Sequence, residues 1–482
     1  MNFADVPAQE KDQFWRALFY ATSIAVIGAN DIFDSWGNNS MRAAISLLQK
    51  GQDKRVYAIN PNVPEVLGLP TYPSILDTPG TVDLAVVVVP ARVVPETLRQ
   101  CISKGVKAAV IISAGFAEVD AEGAAAQETL LAIAREGGLH FVGPNCPGHA
   151  NLHSHSSSSP VGERIKPGCV ALISQSGTVG GSISFLAATK GLGLSKSVGT
   201  GNEADVHLED YLEYLGHDDD TRIIAAYIEG LREGRRFFEL ARTITSKKPI
   251  IVLKAGATQR SSQAAKSHTG AIAGSDAVYS AAFRQAGVIR ADDQEELCDM
   301  ALTLQDQPLP LGKRVGMLTM GGGYGVLAAE ACEREGLEMA TLETQTVEKL
   351  SAILPSRWSK GNPIDLVGMK PQGEDHTISN CLTLLIQDKT VDSVISFLPA
   401  FPVPSTAEGR QDDAPTNANG WRTLIDLAKQ NGKPLLMIKR LKASEGLRSD
   451  QSAPGPLEYS TPLRAARALR QLTWYSEYLR RI

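Results

Sequence analysis

At 482 residues, 43% apolar and 21% charged, the chain has the length of about three domains and the composition of an ordinary soluble protein. A net charge of −5 with no long basic run excludes nucleic acid and an anionic membrane surface as obvious partners. Six scattered cysteines with no CxxC pair suggest reduced thiols in a cytoplasmic protein and no disulfide framework.

Met1 to Tyr20 mixes charges with aromatics and lacks the apolar core of a signal peptide. Ser23-Ile-Ala-Val-Ile-Gly28 then reads as a strand entering a tight turn, Gly28-Ala29-Asn30. Main-chain N–H groups at such a turn and at the helix start after it can hold phosphate. The dinucleotide fingerprint fails here on two counts. Gly28 is next followed by Gly37, and the second strand, Val56 to Ile59, ends in Asn60-Pro61-Asn62 with no carboxylate for a ribose. NAD is therefore disfavoured, and the residues alone give a flavodoxin-like domain with no assigned ligand. Leu84–Val89, Ala108–Ile112 and Ile250–Leu253 are near-continuous apolar runs, as in parallel strands covered on both faces. The first of them is far too short to span a bilayer. A domain break is expected near Gly143-Pro-Asn-Cys-Pro-Gly148. The polar stretch after it, His153 to Ser159, is expected as a flexible surface loop, with contact to a polar acyl group as the alternative. His153 and His155 have no further ligands nearby, so no metal site is expected.

Cys169 to Ser174 is a second strand, running into Gln175-Ser176-Gly177-Thr178. That turn is either a capped helix start or an anion site. Gly199-Thr-Gly201-Asn202-Glu203 is another glycine-rich turn. Tyr227-Ile-Glu229-Gly230 places a carboxylate at a strand end, where it is either a site residue or a surface Glu. Lys254 would offset a phosphate or snorkel. In Lys266-Ser-His268-Thr-Gly270-Ala271, small neighbours leave room for a phosphoryl group on the imidazole; the bland reading is a loop histidine beside a helix start. After a Pro-containing linker, Gln305 to Gly312, the strand Arg314–Thr319 enters Met320-Gly321-Gly322-Gly323-Tyr324-Gly325, read as a tight turn into a helix. Phe401 to Gly420 reads as a long loop. The fold class is α/β: three consecutive Rossmann-like or flavodoxin-like parallel-sheet domains, 1–150, 151–305 and 306–482.

The His268 segment resembles the phosphohistidine loop of the NDP-forming acyl-CoA synthetases, which include α subunits of ADP-forming acetyl-CoA synthetase and, more distantly, of succinyl-CoA synthetase. Gly28-Ala-Asn30, Ile59-Asn-Pro-Asn62, Val87-Val-Val-Pro90, Ile112-Ser-Ala-Gly-Phe-Ala-Glu118 and Gly143–Gly148 resemble, in order, that family's CoA-binding segments. The resemblance implies CoA contacts at Gly28, Ala29, Asn30, Asn60, Pro61, Val89, Pro90, Ser113, Ala114, Gly115 and Asn145. It implies phosphate contacts at Ser176, Gly177, Thr178, Gly201 and Asn202. It makes His268 the phosphorylated nucleophile and Glu229 the carboxylate that orients it. Two departures stand out: Asn30 replaces a usual Ser, and Thr319-Met-Gly-Gly-Gly-Tyr-Gly325 replaces the family's Asn-Ala-Gly-Gly-Pro-Gly.

The activity so implied is an acid–thiol ligase. It would interconvert carboxylate, CoA and NTP with acyl-CoA, NDP and phosphate through acyl phosphate and phosphohistidine. No segment resembles an ATP-grasp domain. ATP or GTP with Mg2+ is thus expected on a separate ATP-grasp β subunit, in an α2β2 heterotetramer. The alternatives on this fold are a CoA-dependent lyase or acyltransferase and a CoA-binding regulatory protein. An intact His268 and Glu229 argue against the second. The acid substrate is not legible.

Overall fold

Runs of β-branched and other apolar residues form the strands, and helices join most of them. The structure, a computed structural model, describes residues 3–51, 53–163, 165–258, 275–366, 377–398, 418–439 and 457–482. It divides into two compact units, Met1–Cys298 and Asp299–Ile482.

The first unit contains two sheets. One is built from β1 (Ser23–Ile27), β2 (Arg55–Ile59), β3 (Glu65–Val66), β4 (Leu69–Tyr72), β5 (Leu84–Val87), β6 (Ala108–Ile111) and β7 (His140–Val142), in the order β3-β4-β2-β1-β5-β6-β7. All neighbours pair in parallel except β3 with β4. Ile24 and Val26 of β1 enter one apolar cluster, while Ala25 and Ile27 enter another. That alternation is the signature of a strand covered on both faces. The chain leaves β1 to one side for β2 and returns to the other for β5, so the strand order reverses between β1 and β5.

The second sheet comprises β8 (His149–Asn151), β9 (Pro167–Ser174), β10 (Leu194–Gly199), β11 (Ile223–Ile228), β12 (Ile250–Lys254) and β13 (Ile289–Ala291), in the order β13-β12-β11-β9-β10-β8. Only β8 runs antiparallel to its neighbour. Here the order reverses between β9 and β11. The covering helices include α1 (Ala8–Phe19), α2 (Trp36–Ile45), α3 (Val94–Lys104), α4 (Ala121–Glu136), α5 (Gly177–Thr189), α6 (Leu208–His217) and α7 (Gly234–Ile244).

Helix α1 ties the two sheets together. Phe14, Trp15, Leu18 and Phe19 share one apolar cluster with Ile24 and Val26 of the first sheet and Ala171 and Ile173 of the second. Trp15 stacks on Tyr214 of α6 with ring centroids 4.7 Å apart, and Phe19 stacks on the same ring at 5.1 Å. Beside them Lys196 is fully buried. Its ammonium donates to both Asp218 carboxylate oxygens at 2.8 and 2.7 Å and lies 5.4 Å from the centre of the Tyr20 ring.

The stretch His153 to Ser159 corrects the sequence reading. It is not a flexible surface loop: Ser156, Ser157, Ser158 and Ser159 are all buried. Ser156 Oγ donates to the Leu18 carbonyl at 2.7 Å, and Ser154 Oγ and Asn151 Nδ2 donate to that of Phe19 at 2.6 and 2.8 Å. These side chains satisfy carbonyls that the last turn of α1 leaves without an intrahelical partner. Serine polarity reads as solvation in a sequence because the acceptor lies 138 residues away.

The second unit has one sheet. Its strands are β14 (Arg314–Thr319), β15 (Glu338–Met339), β16 (Ile364–Asp365), β17 (Ser393–Leu398), β18 (Leu435–Lys439) and β19 (Leu457–Tyr459). Their order is β15-β14-β17-β18-β19, with β16 also beside β14, and all pairs are parallel. Asn362 fixes the entry to β16. Its Oδ1 accepts from Met317 N at 2.8 Å, and its Nδ2 donates to the Val315 and Ala340 carbonyls at 2.7 and 2.9 Å. The Gly321–Gly323 run turns β14 into the helix Gly322–Arg334, as its sequence suggested. Of the expected loop at 401–420, residues up to 417 lie outside the described part, and Ala418 already starts the helix Ala418–Gln430. Among the described residues no helix is long and apolar enough to cross a membrane.

Candidate active site

In open parallel sheets, ligands lie outside the carboxyl ends of the strands where the order reverses. Both reversal points of the first unit open on one cleft of about 900 Å³. From the first sheet it is lined by Val88 and Val89 after β5, Ile112, Ser113 and Ala114 after β6, and Asn145 after β7. From the second come Ser176, Gly177 and Thr178 after β9, Gly201 and Asn202 after β10, and Gly230 and Arg232 after β11.

The expected CoA residues fall into two sets. Val89, Ser113, Ala114 and Asn145 line the cleft. Gly28, Ala29, Asn30, Asn60, Pro61, Pro90 and Gly115 are not among its lining residues, and several of them shape its walls. Gly28 has φ +96°, and a Cβ there would collide with the Val88 carbonyl. Only glycine allows β1 to turn this close to β5. Asn30 Oδ1 accepts from Ile32 N at 3.0 Å and Ser35 Oγ at 2.7 Å, and its Nδ2 donates to the Gly28 carbonyl at 3.2 Å. Asn60 Nδ2 donates to the Ala29 carbonyl at 2.8 Å. Ser113 Oγ donates to the Val89 carbonyl at 2.6 Å, joining the ends of β5 and β6.

All five expected phosphate residues line the cleft. Ser176 is the N-cap of α5, its Oγ accepting from Val179 N at 3.3 Å. The first turn of a helix leaves main-chain N–H groups without intrahelical partners, and Gly177 and Thr178 present that turn to the cleft. Asn202 is a connector. Its Nδ2 donates to Glu118 Oε2 at 2.5 Å and Gln127 Oε1 at 2.9 Å, and its Oδ1 accepts from Asn145 Nδ2 at 3.2 Å. Its carbonyl accepts from Arg232 Nη2 at 2.7 Å. The amide of Asn202 therefore bridges the loops of the two sheets.

Glu229 follows β11 directly, beside the lining residue Gly230. Its carboxylate interacts with Tyr227, whose phenol is pushed up to about 12 by burial and then by that carboxylate. Lys254 Nζ donates to the Glu229 carbonyl at 2.9 Å and to that of Ala255, and lies 4.6 Å from the centre of the Tyr279 ring. Its charge thus braces the Glu229 turn, and burial lowers its pKa. His268 lies outside the described residues.

Five cleft residues carry chemistry that the sequence reading did not assign: Glu118, Gln127, Gln175, Glu203 and Arg232. Burial would raise the Glu118 pKa, but donors from Asn202, Gly115 N and Phe116 N outweigh it and hold the carboxylate low. Glu203 is 3% exposed. Desolvation, and then the neighbouring Glu209, push its pKa up to about 7 against the donors Thr200 and Gln175. Arg232 Nε stands 3.9 Å from its Oε2. A position signal was available for Glu118, Glu203 and Arg232, since each lies within a few residues of a strand's carboxyl end. Among the described residues no cluster of His, Cys, Asp and Glu suits a metal ion.

The family comparisons fit this geometry. Residues 22–151 match a model of the CoA binding domain, and 167–304 a model of the succinyl-CoA ligase like flavodoxin domain. The two sheets of the first unit are thus of the CoA-ligase class. The α subunit of ADP-forming acetate–CoA ligase II from Pyrococcus furiosus is 40% identical over 424 residues, 87% of this chain and 88% of that one. The dinucleotide-forming acetyl-coenzyme A synthetase 1 of Ca. Korarchaeum cryptofilum, solved with phosphate and ADP, superimposes with a TM-score of 0.84 at 31% identity. That match covers 97% of this chain and 99% of that one. The chain spans 54% of the length of ADP-forming acetate–CoA ligase I from Archaeoglobus fulgidus, with which it is 40% identical. The chain belongs to the NDP-forming acyl-CoA synthetases, a family of acid–thiol ligases.

Proposed function

We propose that this chain is the α component of an ADP-forming acid–CoA ligase that works through acyl phosphate and a phosphohistidine at His268. The observation that carries the reading is the shared cleft. It brings the strand ends of a CoA binding domain against the amino end of α5. The residues present suit CoA: Val88, Val89, Ile112, Ala114 and Ala117 offer an apolar wall for a pantetheine arm. The N–H groups of Gly177 and Thr178 suit phosphate oxygens, helped by the helix dipole.

In the acyl-CoA-consuming direction, a phosphate oxygen attacks the thioester carbonyl, the C–S bond breaks and CoA leaves as thiolate. An imidazole nitrogen of His268 then attacks phosphorus. The bond from phosphorus to the acyl oxygen breaks, releasing the carboxylate. Glu229 accepts the other ring N–H, which keeps the attacking nitrogen free and steadies the cation that forms. The phosphoryl group passes finally to a nucleoside diphosphate with Mg2+ on an ATP-grasp β subunit, in an α2β2 assembly. Splitting the reaction this way lets one group serve two separate sites.

The test is to incubate the purified chain with Mg2+, labelled phosphate and a panel of acyl-CoAs, and to look for acid-labile label by intact mass. Label that depends on one acyl-CoA and is absent from His268→Ala is the expected result and names the acid. Absence of label with every acyl-CoA, and again with ATP and the nucleotide-binding partner, would overturn it.

A further inference from the structure

Gln175 touches three of the turns that meet at the cleft. It follows β9 at the point where the second sheet reverses, and its own N–H donates to the Tyr227 carbonyl at 3.3 Å. Its side-chain Oε1 accepts from Glu229 N at 2.6 Å and from Gly230 N at 3.1 Å. Its Nε2 donates to the Gly230 carbonyl at 2.8 Å and to Glu203 Oε1 at 3.0 Å. Thr200 Oγ1 donates to the same Glu203 oxygen at 2.8 Å.

The orientation of this amide is over-determined. Two main-chain N–H groups face one end and can meet only an acceptor, so Oε1 must lie there. The other end then presents both its hydrogens to the two oxygens it faces. A flipped amide would oppose donors to donors at Glu229 and Gly230. Each bond alone is weak, but four on one planar group fix the geometry of the turn they hold.

We infer that Gln175 is a positioning residue for the ligase reaction, holding the Glu229–Gly230 turn against the anion-binding end of α5 and using Glu203 as the acceptor that fixes its amide. The inference rests on the function proposed above, in which Glu229 orients the phosphoryl-accepting imidazole. Gln175 is adjacent in sequence to the α5 N-cap Ser176. A displacement of the Glu229 turn therefore changes the distance between the orienting carboxylate and the phosphate site without altering the CoA wall. Misplacement of this kind costs on the order of 10- to 100-fold in rate.

The readout is the rate of acyl-CoA-dependent phosphate labelling of the full chain, measured against acyl-CoA concentration. Gln175→Met keeps the side chain's length and removes all four bonds. Its maximal labelling rate is expected to fall about 10- to 100-fold, while the half-saturating acyl-CoA concentration stays at the wild-type value. Gln175→Glu keeps the acceptor for Glu229 N and Gly230 N but sets a carboxylate oxygen against the Gly230 carbonyl and Glu203, so it should lose rate at least as far as Gln175→Met. If Gln175→Met does not fold, Gln175→Glu decides alone. A variant that labels at the wild-type rate, or one that loses rate and acyl-CoA affinity together, overturns the inference. Failure of the wild-type chain to label tells instead against the proposed function.

Discussion

Burial favours the neutral form of Glu203, whose pKa is pushed up to about 7 from an ordinary 4.5, first by desolvation and then by Glu209. The native state therefore keeps a proton that the unfolded chain gives up as pH rises through about 4.5. The stability this contributes is fully present below that pH and is lost as pH rises through 7, an effect of ~3 kcal/mol. Glu203→Gln, neutral at every pH, should thus gain on the wild type between about pH 5 and pH 8, with the Tm difference in calorimetry widening as pH rises. A difference that is flat with pH would mean that the carboxyl is ionised throughout. Glu229 poses the complementary case. Glu229→Gln keeps the main-chain bonds to Gln175 and Lys254 and removes only the charge. If the carboxylate orients the histidine, the labelling rate should drop about 100-fold with little change in Tm. Glu229 stood out in the sequence because it follows a buried strand and because its segment resembles a family motif; the labelling experiment tests its role. Glu203 carried only the position signal of a strand end and Gln175 none beyond its turn, since their roles depend on what their polar atoms meet across the cleft.

At the scale of elements, the strands were legible and the polar straps were not. Each apolar run of four to six residues became a strand within a residue or two of its expected ends, because burial on both faces demands continuous apolar sequence. Of the strand-to-helix turns read from the sequence, Gln175–Thr178 lines the cleft and Gly28 backs its wall at Val88. The serine stretch shows where such reading stops. Its hydroxyls hold the carboxyl end of α1, a purpose that no local pattern encodes. Ser156→Ala would leave the Leu18 carbonyl without that donor in a buried setting. A loss of about 1–3 kcal/mol in stability is expected, measured by denaturant unfolding. His153→Ala combined with His155→Ala should leave acid preference unchanged, since neither imidazole lines the cleft. A shift in preference would restore the polar-acyl alternative.

At the scale of the molecule, the first unit works because its two sheets share a core and a cleft. Asp205 is one of the joints. It follows β10, yet its Oδ2 accepts from Phe141 N and meets His140 Nδ1, both at 3.0 Å, at β7 of the other sheet. Asp205→Ala is expected to lower stability by about 3 kcal/mol and also to weaken CoA binding in calorimetry, although Asp205 does not line the cleft. Loss of stability with unchanged CoA affinity would show that the cleft does not depend on this joint. The aromatic packing of α1 has a consequence of another kind. Tyr20, just past that helix, bonds to Asp220, 200 residues further along the chain. At ordinary rates of synthesis, that separation corresponds to roughly 10–40 seconds on the ribosome. Throughout that interval Trp15 and Phe19 have no Tyr214 ring to stack on. An early helix with a greasy face therefore waits for a late partner, and until that partner is made its aromatic side chains are open to non-native contacts.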